Sequence, residues 1–214
     1  LACIASHRLA WQWLLESDHP FVAVFEDDAH LSEDISDILR QDLVPAGIDI
    51  VKLEVPSGKV SFSRRAQAVH CHRSLHRLLT RAYGAGAYVI SRRCAERLLE
   101  LTEHCNQPVD VILFDDTSDV WQTFPILQLI PAPCIQDVNL ARAVRGEQLF
   151  QSTIEEDRQT SKSQRKGAER RRKSALPMKK LRNYIWCVLH GADPFGHRDY
   201  IPYDLGDLSA RTDA

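Results

Sequence analysis

The chain has 214 residues, of which 44% are hydrophobic and 26% charged, and its net charge is −2 at pH 7. These values are typical of a globular protein with one domain, or one domain plus an appendage, and they allow a sizeable core. The near-neutral balance excludes a global attraction to nucleic acid or to an anionic membrane. No apolar run approaches the length of a transmembrane helix, about 20 residues.

Six cysteines are scattered along the chain without a CxxC pair, at Cys3, Cys71, Cys94, Cys105, Cys134 and Cys187. This spacing does not match a zinc site or a compact disulfide framework, so we expect reduced thiols in a cytoplasmic protein. We find no signal peptide. Because Leu1 already falls in a predicted helix, we also expect that an N-terminal segment is missing from this sequence.

The first half of the chain alternates predicted helices and strands. Apolar spacing over residues 2–16 favours a helix, and the short apolar run 21–25 predicts a buried strand. Residues 33–43 have helical periodicity, and residues 48–53 predict a second strand.

The pattern continues after a less regular stretch. The apolar residues of segment 59–82 follow no single helical or strand periodicity. The segment fits either a hairpin or a loop that crosses the face of the fold carrying the active site. Residues 83–90 predict a strand rich in small side chains, Ser91 predicts the N-cap of a helix over 92–104, and residues 124–130 predict a late strand. Strands alternating with helices indicate an α/β fold, with a mixed sheet flanked by helices.

Composition changes near residue 141, so we predict one domain over 1–140 and a basic extension over 141–214. Residues 162–182 are dense in Lys and Arg and poor in apolar side chains, and such a segment cannot bury enough surface to fold alone. Residues 181–190 fit an amphipathic helix. We therefore expect the extension to be partly disordered.

Three adjacent carboxylates, Glu26, Asp27 and Asp28, follow the first predicted strand. Like charges this close repel each other, and a divalent cation would relieve the repulsion. Mg²⁺ and Mn²⁺ prefer oxygen ligands and commonly join a protein to the phosphates of a nucleotide. The alternative is a charged turn in which Asp27 and Asp28 open a loop and Ser32 caps the next helix.

Several motifs occur together in a fixed order. They are Cys3-Ile4-Ala5-Ser6-His7, Phe25-Glu26-Asp27-Asp28, Asp49-Ile50-Val51-Lys52-Leu53, Gly84-Ala85-Gly86-Ala87-Tyr88-Val89-Ile90-Ser91, Pro108-Val109-Asp110 and Pro133-Cys134-Ile135-Gln136. This combination resembles glycosyltransferase family 25, which includes bacterial lipooligosaccharide galactosyltransferases. The resemblance covers roughly residues 2–140.

The resemblance implies a nucleotide-diphospho-sugar transferase fold of the GT-A-like type, a UDP-sugar donor and transfer with inversion. It places Asp28, supported by Asp27 or Glu26, near a Mn²⁺ or Mg²⁺ ion on the donor diphosphate. Members of the family usually begin with a strand that carries Asn-Leu and an Arg-rich turn. No such strand precedes Leu1, so we expect the N-terminal wall of the donor pocket to be incomplete.

Inversion requires a general base to accept the proton of the acceptor hydroxyl. Asp110 is our first candidate, because its motif matches the family and begins a helix. Alternatively, Asp110 only stabilises the helix, through the interaction of its negative charge in the first turn with the helix dipole. Asp115, Asp116 and Asp119 follow closely and compete for the role of base.

The same resemblance suggests donor contacts. Ser6 and His7 can face the donor from the first helix, although a His near Trp11 is often a core group. Lys52 can snorkel, with its apolar stem buried and its ammonium group in water, or it can bind a phosphate. Gly84 and Gly86 allow a sugar to approach the strand, and tight helix packing explains them equally well. Gln136 can hydrogen-bond a sugar hydroxyl.

We therefore predict an inverting, metal-dependent hexosyltransferase, with galactose as the expected sugar and a saccharide of lipopolysaccharide or lipooligosaccharide as acceptor. For residues 162–182, a solvated face is the default, peripheral contact with an anionic inner membrane is the next alternative, and no nucleic acid is expected. Two rival functions stay open. One is a non-catalytic scaffold that uses the basic extension. The other is a phosphohydrolase built on Asp27-Asp28 and Asp115-Asp116.

Overall fold

The computed structural model describes residues 2–40, 43–105, 107–144 and 196–204. The strands in these ranges are β1 (Phe21–Phe25), β2 (Ala29–Leu31), β3 (Ile50–Lys52), β4 (Val60–Phe62), β5 (Ala68–His70), β6 (Arg73–Arg77), β7 (Ala87–Ser91), β8 (Ile126–Ile130), β9 (Cys134–Gln136) and β10 (His197–Asp199). The helices are α1 (Ala2–Glu16), α2 (Ile35–Ile38), α3 (Arg92–Leu101), α4 (Val109–Phe114), α5 (Asp119–Thr123) and α6 (Asp137–Val144).

The main sheet has six strands in the order β1–β7–β3–β8–β6–β5. β3 and β8 are parallel, and the other neighbouring pairs are antiparallel. Two small antiparallel sheets join β2 to β9 and β4 to β10. The mixed α/β sheet predicted from the sequence is confirmed, whereas its GT-A-like character stays a prediction.

Alternate side chains of β3 enter two different cores. Ile50 belongs to a cluster that includes Trp11 of α1 and Leu98 of α3, whereas Val51 belongs to a second cluster that includes Ile38 of α2. Successive residues of a strand face opposite sides of the sheet, so this fully buried strand divides the two cores. Helices therefore cover both faces.

The predicted helix over 33–43 is wrong in its extent, because α2 contains only Ile35–Ile38. Its N-cap is Asp34 rather than Ser32, and the Asp34 side chain makes no cap hydrogen bond. Arg73 of β6 binds the two Asp34 carboxylate oxygens at 3.0 and 3.1 Å. At the other end, His70 Nε2 lies 2.7 Å from the Ile38 carbonyl oxygen. Long-range contacts at both ends thus accompany the short helix.

Three other local predictions have clear outcomes. Ser91 is the N-cap of α3, since its hydroxyl accepts a hydrogen bond from the Cys94 N–H at 3.2 Å. The strand predicted from residue 83 begins only at Ala87, because Gly84 has a φ of +106° that a strand does not accommodate. The hairpin alternative within 59–82 is confirmed by the pairing of β5 with β6.

Residues 196–204 return to the body of the fold. β10 pairs with β4, the Ala132 N–H donates to the Pro202 carbonyl at 2.8 Å, and Ile201 is buried. The basic segment 162–182 and the helix predicted near 181–190 lie outside the described residues, so a separate extension from residue 141 stays a prediction. None of the helices in the described ranges is long and apolar enough to cross a membrane.

Candidate active site

A cavity of about 650 Å³ opens beside the end of β1. Four of the residues singled out in the sequence contribute to its wall from separate parts of the chain, namely Glu26, Gly84, Asp110 and Gln136. Cys3, Ile4, Ala85, Gln107, Pro108 and Val109 complete the lining. A concave site that gathers polar groups from distant segments is the usual form of a ligand site.

Backbone pairing brings Glu26 to this cavity and holds the turn that follows it. The Glu26 N–H donates to the Gly86 carbonyl at 2.9 Å, which continues the β1–β7 ladder by one residue. In the β2–β9 pair Ala29 lies opposite Gln136. The Asp137 N–H also donates to the Asp28 carbonyl at 3.0 Å. The turn that carries the triplet is therefore held between two strands.

One amide serves two carboxylates in this turn. Gln136 Nε2 donates to Glu26 Oε2 at 2.8 Å and lies 3.2 and 3.3 Å from the Asp28 carboxylate oxygens. Two anions around one neutral donor leave an excess of negative charge. Their oxygen donors suit Mg²⁺ or Mn²⁺, so the residues fit the cation that the sequence predicted. Asp27 is exposed, and metal binding by the triplet stays a prediction.

A buried hydrogen-bond network supports Glu26 from α1. Trp11 Nε1 donates to the Tyr88 hydroxyl at 3.0 Å, and that hydroxyl lies 2.6 Å from His7 Nδ1. His7 Nε2 lies 3.2 Å from Glu26 Oε1, and this hydrogen bond is the main cause that lowers the pKa of Glu26. Burial raises the pKa of Tyr88 well above its usual value. Tyr88 therefore stays a neutral hydroxyl between two ring nitrogens.

Replacing Tyr88 with phenylalanine is expected to destabilise the protein by about 1–3 kcal/mol, because the buried Trp11 N–H loses its acceptor. Chemical denaturation followed by tryptophan fluorescence measures the loss. Tyr83→Phe is the matched control, since Tyr83 is only half-buried and donates to Asp115 at 2.8 Å. A loss in Tyr88→Phe no larger than in the control would contradict the network.

A buried ion pair lies behind the cavity wall. Lys52 and Glu54 have no exposed surface, and Lys52 Nζ lies 3.2 Å from Glu54 Oε2. The same ammonium donates to the Gly84 carbonyl and lies 4.1 Å from the centre of the Phe114 ring. The prediction that Lys52 snorkels is wrong, because Glu54 and Gly84 hold its ammonium inside. A phosphate contact by Lys52 stays a prediction.

Glu54 also shapes the cavity wall through its second partner. The Gly86 N–H donates to Glu54 Oε2 at 2.8 Å. Burial raises the pKa of Glu54, although Lys52 opposes that effect. A Cβ at Gly84 would lie 2.5 Å from Glu54 Oε1, and one at Gly86 would lie 2.8 Å from Gln136 Cγ. Both glycines therefore permit close packing against side chains of the site itself.

Asp110 lies at the start of α4 on the cavity wall, and its Oδ1 accepts a hydrogen bond from the Val111 N–H at 2.9 Å. The competing acids have other positions. Asp115 accepts from Tyr83 and Thr117, and Asp119 pairs with Arg97 at 3.0 Å. Unlike Asp110, the residues Asp115, Asp116 and Asp119 do not line the cavity. Asp110 is therefore the better placed of the four candidates for a general base. Ser6 is exposed and also lies outside the lining.

Sequence reasoning did not assign roles to Glu54, Tyr88 or Cys3. Glu54 follows Lys52 by two residues, and i, i+2 positions of a strand share one face. Opposite charges on the same face of a buried strand were the available signal. Tyr88 had no such signal, since only the fold shows that Trp11 and His7 meet its hydroxyl.

The amino-acid sequence matches a known protein family. Residues 1–113 match the family described as "Glycosyltransferase family 25 (LPS biosynthesis protein)". This match covers more than half of the chain. The chain belongs to glycosyltransferase family 25.

Several curated proteins are similar to this chain. It is 31% identical over 162 residues to a "Putative glycosyltransferase" of Haemophilus influenzae, covering 74% of this chain and 54% of that protein. It is also 31% identical over 175 residues to "Lacto-N-neotetraose biosynthesis glycosyltransferase LgtB" of Neisseria meningitidis serogroup B, covering 77% and 63%. The chain therefore spans between about half and two thirds of the length of these relatives.

Proposed function

We propose that this chain contributes the donor site of an inverting, metal-dependent glycosyltransferase that moves a hexose from a UDP-sugar to a saccharide hydroxyl. The observation that supports it is the meeting of Glu26, Asp110 and Gln136 at one cavity from three separate segments, with Asp28 held beside Glu26 by the Gln136 amide. A lipopolysaccharide or lipooligosaccharide acceptor follows from the family and from the names of the relatives. Galactose is the proposed hexose.

In this proposal Glu26 and Asp28, with Asp27 beside them, would hold Mn²⁺ or Mg²⁺. The cation would stabilise the negative charge that develops on the leaving UDP. Gln136 keeps the two carboxylates together, and His7 holds Glu26 ionised. The chain thus presents a preformed anionic site to a cation.

Asp110 would act as the general base on the acceptor side. Its carboxylate accepts the proton of the attacking hydroxyl, while the hydroxyl oxygen bonds to the anomeric carbon on the face opposite UDP. The hydrogen bond from Val111 engages Oδ1 and fixes the orientation of the carboxylate.

The proposal also includes peripheral membrane contact through residues 162–182. Such contact would place the enzyme near a lipid-linked acceptor.

Calorimetry of UDP binding with and without Mn²⁺ tests the donor site. We expect Mn²⁺-dependent binding that Asp28→Asn weakens by roughly tenfold or more, because one carboxylate of the site is lost. Asp37→Asn is the matched control, since Asp37 is an exposed carboxylate of α2. UDP binding that is equal in the presence of a chelator, or equal in Asp28→Asn, would overturn the proposal.

A further inference from the structure

Three side chains beside the cavity form a second group of potential metal ligands, with a chemistry different from that of the acidic triplet. They are Cys3 and His7 of α1 and Glu26 at the end of β1. One donor atom from each lies within 4.8 Å of the other two. Cys3 and His7 are four residues apart, so they occupy the same face of the helix.

The individual distances fit a transition-metal ion. His7 Nε2 lies 3.2 Å from Glu26 Oε1, and Cys3 Sγ lies 3.6 Å from the same oxygen. Tetrahedral bonds of about 2.0–2.3 Å to zinc place ligand atoms about 3.3–3.8 Å apart. Both distances to Glu26 Oε1 are close to this range, and the donor atoms of Cys3 and His7 lie within 4.8 Å of each other.

The ligands are also oriented from behind, as metal ligands usually are. The Tyr88 hydroxyl lies 2.6 Å from His7 Nδ1, which aims Nε2 at Glu26. Gln136 Nε2 donates to Glu26 Oε2 at 2.8 Å, which leaves Oε1 toward Cys3 and His7. Two of the three ligands are thus fixed before any ion arrives.

We propose that Cys3, His7 and Glu26 form a binding site for Zn²⁺ or a chemically similar ion, which shares Glu26 with the proposed hard-cation site but takes its other two ligands from α1. Sulfur, nitrogen and one carboxylate oxygen are the ligand set that zinc prefers, and Mg²⁺ does not. Cys3 and Glu26 both line the cavity, so an ion held by them would be reached from it. Binding releases the Cys3 thiol proton to solvent. His7 then takes the tautomer with its proton on Nδ1, facing the Tyr88 hydroxyl, so Nε2 gives up its hydrogen bond to Glu26 and presents its lone pair to the metal.

The test uses the whole chain without a polyhistidine tag. Zn²⁺ binding is measured by calorimetry, and Co²⁺ serves as a spectroscopic probe, because a thiolate ligand produces an intense sulfur-to-cobalt absorption band. We expect one ion per chain, with Cys3→Ser abolishing the band and weakening Zn²⁺ binding by roughly tenfold or more. Cys105→Ser is the matched control, since Cys105 lies outside the cluster.

The outcomes separate this site from the proposed donor site. Asp28→Asn should leave Zn²⁺ binding unchanged, because Asp28 is not among the three ligands. Equal Zn²⁺ affinity in Cys3→Ser and the unmodified protein would overturn the zinc site, and so would loss of the cobalt band in Cys105→Ser alone. Mn²⁺-dependent UDP binding is measured independently, so either proposal can fail while the other stands.

Discussion

Replacing Lys52 with methionine is expected to lower the free energy of unfolding by about 3–5 kcal/mol, because a carboxylate then stays buried without its cation. Lys52 and Glu54 have no exposed surface, and the ammonium also donates to the Gly84 carbonyl. Methionine keeps most of the packing against Phe114. The loss of unfolding free energy therefore reflects the missing positive charge more than a loss of packing. Denaturant unfolding measures it.

The pH dependence gives this prediction a second readout. Burial raises the pKa of Glu54, so its contribution to stability is fully present below its unfolded value of about 4.3 and is lost as the pH rises through the folded value. Removing Lys52 removes the group that opposes this effect. We therefore expect the deficit of Lys52→Met to shrink as the pH is lowered toward 4.3.

The double variant Lys52→Met/Glu54→Gln serves as the control. Its glutamine oxygen still accepts from the Gly86 N–H, and no buried charge is left. We expect the double variant to regain most of the stability that Lys52→Met loses. A double variant less stable than the single one would contradict the explanation.

Gly84→Ala is expected to destabilise the protein by about 2–5 kcal/mol, the sum of backbone strain and overpacking. The φ of Gly84 is +106°, and an added Cβ would lie 2.5 and 2.8 Å from the two carboxylate oxygens of Glu54. Those oxygens cannot move aside easily, because Lys52 and the Gly86 N–H hold the carboxylate.

Gly58→Ala separates the two contributions. Gly58 has nearly the same φ, +108°, but nothing lies within 4 Å of its added Cβ. It should therefore show the backbone strain alone, and Gly84→Ala should cost about 1–3 kcal/mol more in denaturant unfolding. Equal losses in the two variants would show that Glu54 does not restrict the wall at Gly84.

Local signals predicted much of the fold. The helix over 2–16, the strand over 21–25 and the Ser91 cap depend on nearby residues, and the structure confirms all three. The helix predicted over 33–43 is shorter in the structure, where Asp34 binds Arg73 and the Ile38 carbonyl meets His70, partners about 30–40 residues away. Hydrophobic periodicity contains no information about such contacts.

In the candidate site too, some features were evident from the sequence and others depended on long-range contacts. Glu26 and Asp28 were evident from their position after a strand, and the family resemblance supplied Asp110 and Gln136. Burial of Lys52 and Glu54 was not evident, since charged side chains are seldom fully buried unless they are paired. Their spacing of two residues allowed a pair, but its burial depends on long-range packing, in which Phe114 of α4 covers the ammonium. Only the assembled structure shows this.

The return of residues 196–204 gives this short segment its own attachment to the body of the fold. α6 ends at Val144, and β10 at His197–Asp199 is paired with β4, so residues 145–195 connect two points of one folded body. A single peptide-bond cut between residues 145 and 195 would leave residues 196–204 attached through strand pairing, the Ala132 hydrogen bonds, the burial of Ile201 and the ion pair of Asp204 with Arg73.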